Sequence, residues 1–432
     1  MKLKLLSLVS GAFGLLLFSC STPITSLPTD SSSTTTTSES TITTTTTSES
    51  TITTISKPTT SEIDPTLPFG SGLAASDPIF RGELDPLASL EIYFIEMIDQ
   101  YGDAIFLKLG DVDILLDAGQ YKDGENVKNF VSSKCVDKRL DVLLSTHAHG
   151  DHIGGMPTAL EAIDNASYII DFGYDRNISS FNNYKVSRDK LVEKGARYVG
   201  ALDCVNNTLE YATSRYFITP DFTVDIIDTG YYQATGSQVK GDLNLTSLAT
   251  LFTYKDFTFF TAGDLSTKGE EELIVTSSVP KNVNLFKASH HGTNGGNIRP
   301  FLDILNPDTI AISAARYGDT GYIETATRNL NGATGHPYPE AIERFYATPK
   351  ISQNKNVYWN MPNGTLKFVT TGTSSAPNMS GSVPRKGYYD DSTTPLTWNS
   401  ALGRFNGLVT GEENAKLHET KIFKIRGYDK YL

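Results

Sequence analysis

Six consecutive residues constrain this chain more than any other feature: His147-Ala148-His149-Gly150-Asp151-His152 holds three of its seven histidines. The segment follows Leu140-Asp141-Val142-Leu143-Leu144-Ser145, an apolar run of strand length. Alternate residues leaving a strand project the same way, and a turn at Gly150 brings the rest back, so three imidazoles and one carboxylate can converge on a point. Neutral imidazole with carboxylate suits Zn²⁺, and also Mn²⁺ or Fe²⁺. Only three cysteines occur, Cys20, Cys135 and Cys204, which excludes a disulfide scaffold and a closed Cys-rich zinc site. The metal site is therefore read as catalytic, and Cys135 and Cys204 as two buried thiols. Three further histidines fall in His290-His291 and Gly335-His336-Pro337, leaving only His418 outside a motif.

Around this segment, runs of strand length alternate with stretches of helical spacing. Strands are expected over 90–98, 104–109, 112–116, 140–145, 168–171, 222–227, 247–254, 257–261, 283–287, 309–313 and 356–359. Helical spacing appears over 156–163, 184–194, 268–275, 298–305 and 339–347. This alternation predicts layered α/β packing, without separating a doubly wound sheet from a two-sheet sandwich.

The N-terminal part has another character. Lys2 and Lys4 precede an apolar stretch over 5–18, the layout of an export signal over 1–20 that is too short for an ordinary spanning helix. Leu17-Phe18-Ser19-Cys20 resembles a bacterial lipobox, which implies a lipid on Cys20 and a membrane-anchored protein outside the cytoplasm, or a secreted one if that step is not used. The decapeptide TTTTSESTIT at 34–43 recurs unchanged at 44–53. Small polar side chains cannot build a core, so 21–62 reads as a disordered tether. A lead-in over 63–89, a main domain over 90–372 and a linker with a short extension over 373–432 complete the division. The net charge of −12 argues against coating nucleic acid through a broad basic face.

Thr146-His147-Ala148-His149-Gly150-Asp151-His152 resembles the HxHxDH motif of the metallo-β-lactamase superfamily. Asp117-Ala118-Gly119 resembles that family's strand-ending Asp-x-Gly, and Gly263-Asp264 its metal-bridging element. Ser289-His290-His291-Gly292-Thr293 is similar to its late His motif, and Gly335-His336-Pro337 to a loop beside the site. The wording over 100–107, 290–293 and 335–339 is closest to the hydrolase domain of ComEC-type competence proteins, and the resemblance covers roughly 90–372.

The resemblance implies a four-layer αββα sandwich with two divalent metal ions, Zn²⁺ or Mn²⁺. His147 and His149 would hold one ion, Asp151, His152 and His290 the other, and Asp264 would bridge them. His290 is preferred to His291 as the first histidine of its motif. Asp117 would orient the His loop. The family's third histidine of the first site is missing, since none lies between His152 and His290, so Asp242 or Asn244 is expected there. Asp151 would also orient a metal-activated hydroxide, and His336 would contact substrate or protonate the leaving group. The activity implied is that of a surface-tethered phosphodiesterase or nuclease acting on DNA or nucleotides. Hydrolysis of a carboxylic ester, lactone or β-lactam is the alternative within the same chemistry, and a non-catalytic surface-binding lipoprotein is the alternative of another class.

Overall fold

The computed structural model describes residues 77–98, 101–209, 211–232, 242–314 and 336–382, with the backbone of 397–399 and 404–406. The export signal with Cys20, the Ser/Thr tract, Gly335, His418 and most of 373–432 lie outside the described residues.

In chain order the strands are β1 (Leu90–Phe94), β2 (Ile105–Leu109), β3 (Val112–Leu116), β4 (Arg139–Leu144), β5 (Asn165–Asp171), β6 (Arg197–Gly200), β7 (Arg215–Thr219), β8 (Phe222–Ile227), β9 (Ala249–Tyr254), β10 (Phe257–Thr261), β11 (Leu285–Lys287), β12 (Thr309–Ile312), β13 (Val357–Trp359), β14 (Leu366–Thr370) and β15 (Asn378–Gly381). One sheet has the order β15-β14-β1-β2-β3-β4-β5-β6 and the other β13-β12-β11-β10-β9-β8-β7. Each is half antiparallel and half parallel: β3 through β6 run parallel, as do β10 through β13. The chain returns to the first sheet at the end, where Thr370 of β14 pairs antiparallel with Leu90 of β1.

The helices used below are α1 (Gly124–Lys134), α2 (Gly150–Ile153), α3 (Met156–Ala159), α4 (Ser179–Glu193), α5 (Ala201–Asn206), α6 (Thr267–Val275), α7 (Arg299–Leu305) and α8 (Pro339–Ala347). Ile92, Phe94, Leu107, Ile114 and Val142 of the first sheet face Val224, Phe252, Phe259 and Leu285 of the second across a shared core. Phe94 meets Phe259 edge-on at 5.8 Å between centroids. The alternate residues Tyr93, Phe106, Leu115 and Leu143 face outward against Val127 and Val131 of α1, Met156 of α3 and Phe181 of α4. Phe260, Phe286 and Ile312 likewise pack on Leu273 of α6, Phe301 of α7 and Ile342 of α8. The result is the four-layer αββα sandwich. Central strands buried on both faces explain why the sequence shows apolar runs there rather than alternation.

Some elements differ from expectation. The strand expected over 90–98 stops at Phe94, and α4 begins five residues ahead of the expected 184. The helices α1 and α5 and the strands β6, β7, β14 and β15 were not expected; β6 and β15 are short, but α1 carries Val127, Phe130 and Val131 at helical spacing and β14 alternates with Leu366 and Phe368 buried. The first sheet extends past 372 through β15, while Ile79 and Phe80, ahead of 90, donate backbone hydrogen bonds to Phe217 and Ile218. Cys135 and Cys204 are buried free thiols.

Candidate metal centre

In the parallel half of each sheet the strands end on the same side. Asp117 follows β3, His147 to His152 follow β4, Asp264 follows β10 and His290-His291 follow β11. These loops meet at one end of the sandwich.

The His loop is held from behind by Asp117. Thr146 donates its backbone N–H to Asp117 Oδ1 at 2.8 Å and its hydroxyl to Oδ2 at 2.7 Å. His152 Nδ1 lies 2.7 Å from the same Oδ2. Donation from Nδ1 leaves His152 Nε2 free to act as a ligand atom. That Nε2 is 3.1 Å from Asp264 Oδ2 and 3.8 Å from Asp151 Oδ2. His291 is arranged in the same way: Nδ1 lies 2.9 Å from the Ser313 carbonyl, and Nε2 is 3.1 Å from Asp264 Oδ2 and 3.3 Å from Asp151 Oδ2.

Asp151, His152, Asp264 and His291 therefore each offer one ligand atom within 4.8 Å of the others, and all four residues are buried. His152 Nε2 and Asp264 Oδ2 are buried and make no hydrogen bond. Two nitrogens and two oxygens meeting with only His291 Nε2 and Asp151 Oδ2 in hydrogen-bond contact fit a divalent cation.

Beside this group, His147 Nε2 faces His149 Nδ1 at 2.9 Å, and the His147 and His152 rings are 4.2 Å apart. Residues 242–248 flank the same place, since Leu248 N–H donates to the Thr146 carbonyl and Ser247 Oγ accepts from Asp264 N–H. Asp242 is already engaged, with Oδ1 accepting from Asn244 N–H and Oδ2 from the Ser266 hydroxyl. Asn244 Oδ1 is buried with no hydrogen-bond partner.

Of the two adjacent histidines, it is His291 rather than the preferred His290 that is grouped with Asp151, His152 and Asp264. Both residues adopt positive φ, 47° and 53°, and this left-handed turn sends His291 inward while His290 stays 24% exposed with Nε2 3.8 Å from Asp264. Two glycines permit the close approach of the loops. A Cβ on Gly263 would stand 2.8 Å from Thr146 Cβ, and one on Gly292 would stand 2.8 Å from Pro337 Cβ.

His336 stacks on Tyr101 at 4.4 Å, with the His290 and His291 rings 5.4 and 5.6 Å away. It is buried and neither ring nitrogen has a hydrogen-bond partner. The bond from His336 to Pro337 is cis.

Charge is concentrated here. Burial would raise the Asp264 carboxyl, but His152, His291, His290 and Lys287 hold it well below the usual carboxylate range. Burial would lower His152, yet Asp264, Asp117 and Asp151 push it well above the ordinary histidine value; His291 rises likewise under Asp264 and Asp103. Burial, with His152 and His149 nearby, sends His147 well below it, and burial with His291 and His290 does the same to His336. Clustered carboxylates that draw protons onto imidazoles would equally draw in a metal cation.

Lys287 and its partner Asp103 were not assigned from sequence. Lys287, on β11, is fully buried with Nζ 2.5 Å from Asp103 Oδ2 and 3.3 Å from Asp264 Oδ1. A lysine inside Leu285-Phe286-Lys287-Ala288 was the available signal, because charge in a buried strand requires a partner.

Residues 99–314, half of the chain, match the family model described as metallo-beta-lactamase superfamily. No curated protein matches. Among solved structures, the chain is similar to the metallo-beta-lactamase fold protein YhfI from Bacillus subtilis at 15% identity and TM-score 0.32, covering 52% of this chain and 86% of that one. It is similar to human tRNase Z, short form, at 14% identity and TM-score 0.30, covering 52% and 92%. It is also similar to a diphosphatase of the PhnP family at 9% identity and TM-score 0.28, covering 52% and 86%.

Proposed function

The chain belongs to the metallo-beta-lactamase superfamily, and we propose from this that it is a metal-dependent hydrolase with two divalent ions, Zn²⁺ or Mn²⁺, that cleaves phosphodiesters. The observation that carries the reading is the buried convergence of Asp151, His152, Asp264 and His291. In this reading Asp151, His152 and His291 would hold one ion, His147 and His149 would hold the other, and Asp264 would contribute to both. The unpartnered Oδ1 of Asn244 favours Asn244 over Asp242 as the additional ligand of the His147 and His149 position.

When bound, such ions supply Lewis acidity to a phosphoryl oxygen and to an attacking water. The protein's own groups do the rest. Asp117 and the Ser313 carbonyl keep Nδ1 protonated on His152 and His291, so each Nε2 stays free. Asp151, in the same cluster, would orient the attacking water. Neutral His336, steadied by Tyr101, can donate a ring N–H hydrogen bond to the leaving oxygen. Phosphodiester, with DNA or nucleotides as the substrate class, is supported by the ComEC-type wording of the sequence, and metal ions reconcile an anionic substrate with an acidic chain. Anchoring outside the cytoplasm through Cys20 is supported by the Lys-flanked apolar stretch. Among the described residues no helix is long and apolar enough to cross a membrane.

The test is turnover by the protein loaded separately with Zn²⁺ and Mn²⁺, offered a generic phosphodiester, single- and double-stranded DNA, a cephalosporin and a lactone. Phosphodiester turnover that Asp151→Ala and His149→Ala abolish supports the reading. Turnover surviving both refutes the site, and turnover of only the lactone or cephalosporin refutes the substrate class. No metal and no hydrolysis leaves a surface-binding lipoprotein.

A further inference from the structure

Lys287 does more than neutralise one acid. Its Nζ donates to the Gly263 carbonyl at 2.9 Å and also faces Asp103 Oδ2 and Asp264 Oδ1. Three oxygens match the three N–H donors of an ammonium group. The two oxygens of Asp264 are thereby made unlike. Oδ1 is turned to Lys287, whereas Oδ2 lies 3.1 Å from both His152 Nε2 and His291 Nε2. Asp103 is divided in the same way, with Oδ2 on Lys287 and Oδ1 3.4 Å from His291 Nδ1. One buried cation thus ties the carboxylate between the metal positions to the acid behind His291.

We propose that Lys287 is a positioning residue that, together with Asp103, fixes Asp264 so that Oδ2 alone is presented to both metal ions. The proposal rests on the two-metal reading above. A carboxylate free to rotate can turn both oxygens onto one ion and leave the other short of a ligand. With Oδ1 held by an ammonium group, only a single shared oxygen remains. Because β11 carries both Lys287 and the turn to His291, the same strand sets the carboxylate and one of the imidazoles it faces.

The test compares the wild-type chain with Lys287→Met and with the double variant Lys287→Met/Asp103→Asn. The double variant removes the lysine together with the Asp103 charge, so that Asp264 is the one carboxylate of the three-membered cluster left, facing His152 and His291, and it decides the matter if the single variant fails to fold. Bound Co²⁺ per chain is measured by equilibrium dialysis over a range of free metal, with the visible cobalt spectrum, on samples whose circular dichroism matches wild type. The wild type is expected to bind two ions. The double variant is expected to keep one and to bind the other on the order of 10–100-fold more weakly, with a changed cobalt spectrum. Two ions bound with wild-type affinities and spectrum would overturn the proposal, leaving Lys287 as a structural ion pair. A wild type that binds fewer than two ions would overturn the two-metal reading, and this proposal with it.

Discussion

Asp117→Asn isolates the hydrogen-bonding role of one carboxylate with little else changed. Asp117 sits at φ 56°, in the left-handed region that asparagine tolerates well, so the backbone need not move. The carboxylate accepts three hydrogen bonds: the Thr146 N–H at Oδ1, and the Thr146 hydroxyl and His152 Nδ1–H at Oδ2. An amide has only one accepting oxygen. If that oxygen replaces Oδ2, the NH₂ group confronts the Thr146 N–H, and a buried donor is left unpaired at a cost of about 1–3 kcal/mol. If it replaces Oδ1, the NH₂ group faces His152 Nδ1, which can accept only when the ring proton moves to Nε2. That nitrogen then cannot bind a metal until the tautomer reverts, at a comparable cost. The first arrangement appears as lost folding stability, the second as metal affinity lower by about 5- to 150-fold, since 1.4 kcal/mol is tenfold. Zn²⁺ affinity measured against a chromophoric chelator, together with urea unfolding of the metal-free protein, captures both. An affinity within twofold of wild type and an unchanged unfolding midpoint would refute the assignment of Asp117 as the orienting group.

Three further outcomes are expected. Glu270 accepts the backbone N–H groups of Asn297 and Ile298, yet burial pushes its carboxyl up to about 7. The folded state therefore keeps a proton that the unfolded chain releases near pH 4.5, so stability is lost as pH rises from there through 7, by on the order of 3 kcal/mol; Glu270→Gln should remove that part of the slope in urea unfolding at pH 5 and pH 8, and an identical slope in both proteins would contradict it. Arg188 Nη1 lies 3.1 Å from the fully buried Asp171, which also accepts from the Tyr184 and Tyr198 hydroxyls. Arg188→Met should destabilise by about 3 kcal/mol, the low end for breaking a buried pair, and a loss under 1 kcal/mol would show that the hydroxyls suffice. His336→Phe preserves a ring against Tyr101 while removing both nitrogens, so kcat should fall by about 100-fold or more with KM little changed; a kcat within threefold of wild type would leave His336 no part in stabilising the leaving oxygen.

The amino-acid sequence alone determined what depends on short-range geometry. Residues 147, 149, 151 and 152 leave a single strand, so their convergence follows from strand alternation and one turn, and the structure places their side chains together. The apolar runs of β3, β4 and β10 were equally legible, because burial on both faces marks a central strand whatever its neighbours are. Asp117 and Asp264 could be located by their motifs. The choice between His290 and His291 was not legible, since two adjacent residues at positive φ both bring Nε2 towards Asp264 Oδ2, at 3.8 and 3.1 Å, a difference that no spacing records. The ion pair of Lys287 with Asp103 was also out of reach, because Lys287 lies on β11 of one sheet and Asp103 just ahead of β2 of the other, and the two meet only when the sheets close on the shared core. Sequence therefore determined which ligand types are available and roughly where. Tertiary packing decided which nitrogen and which carboxylate oxygen face the centre, because those orientations are set by hydrogen bonds between segments far apart in the chain.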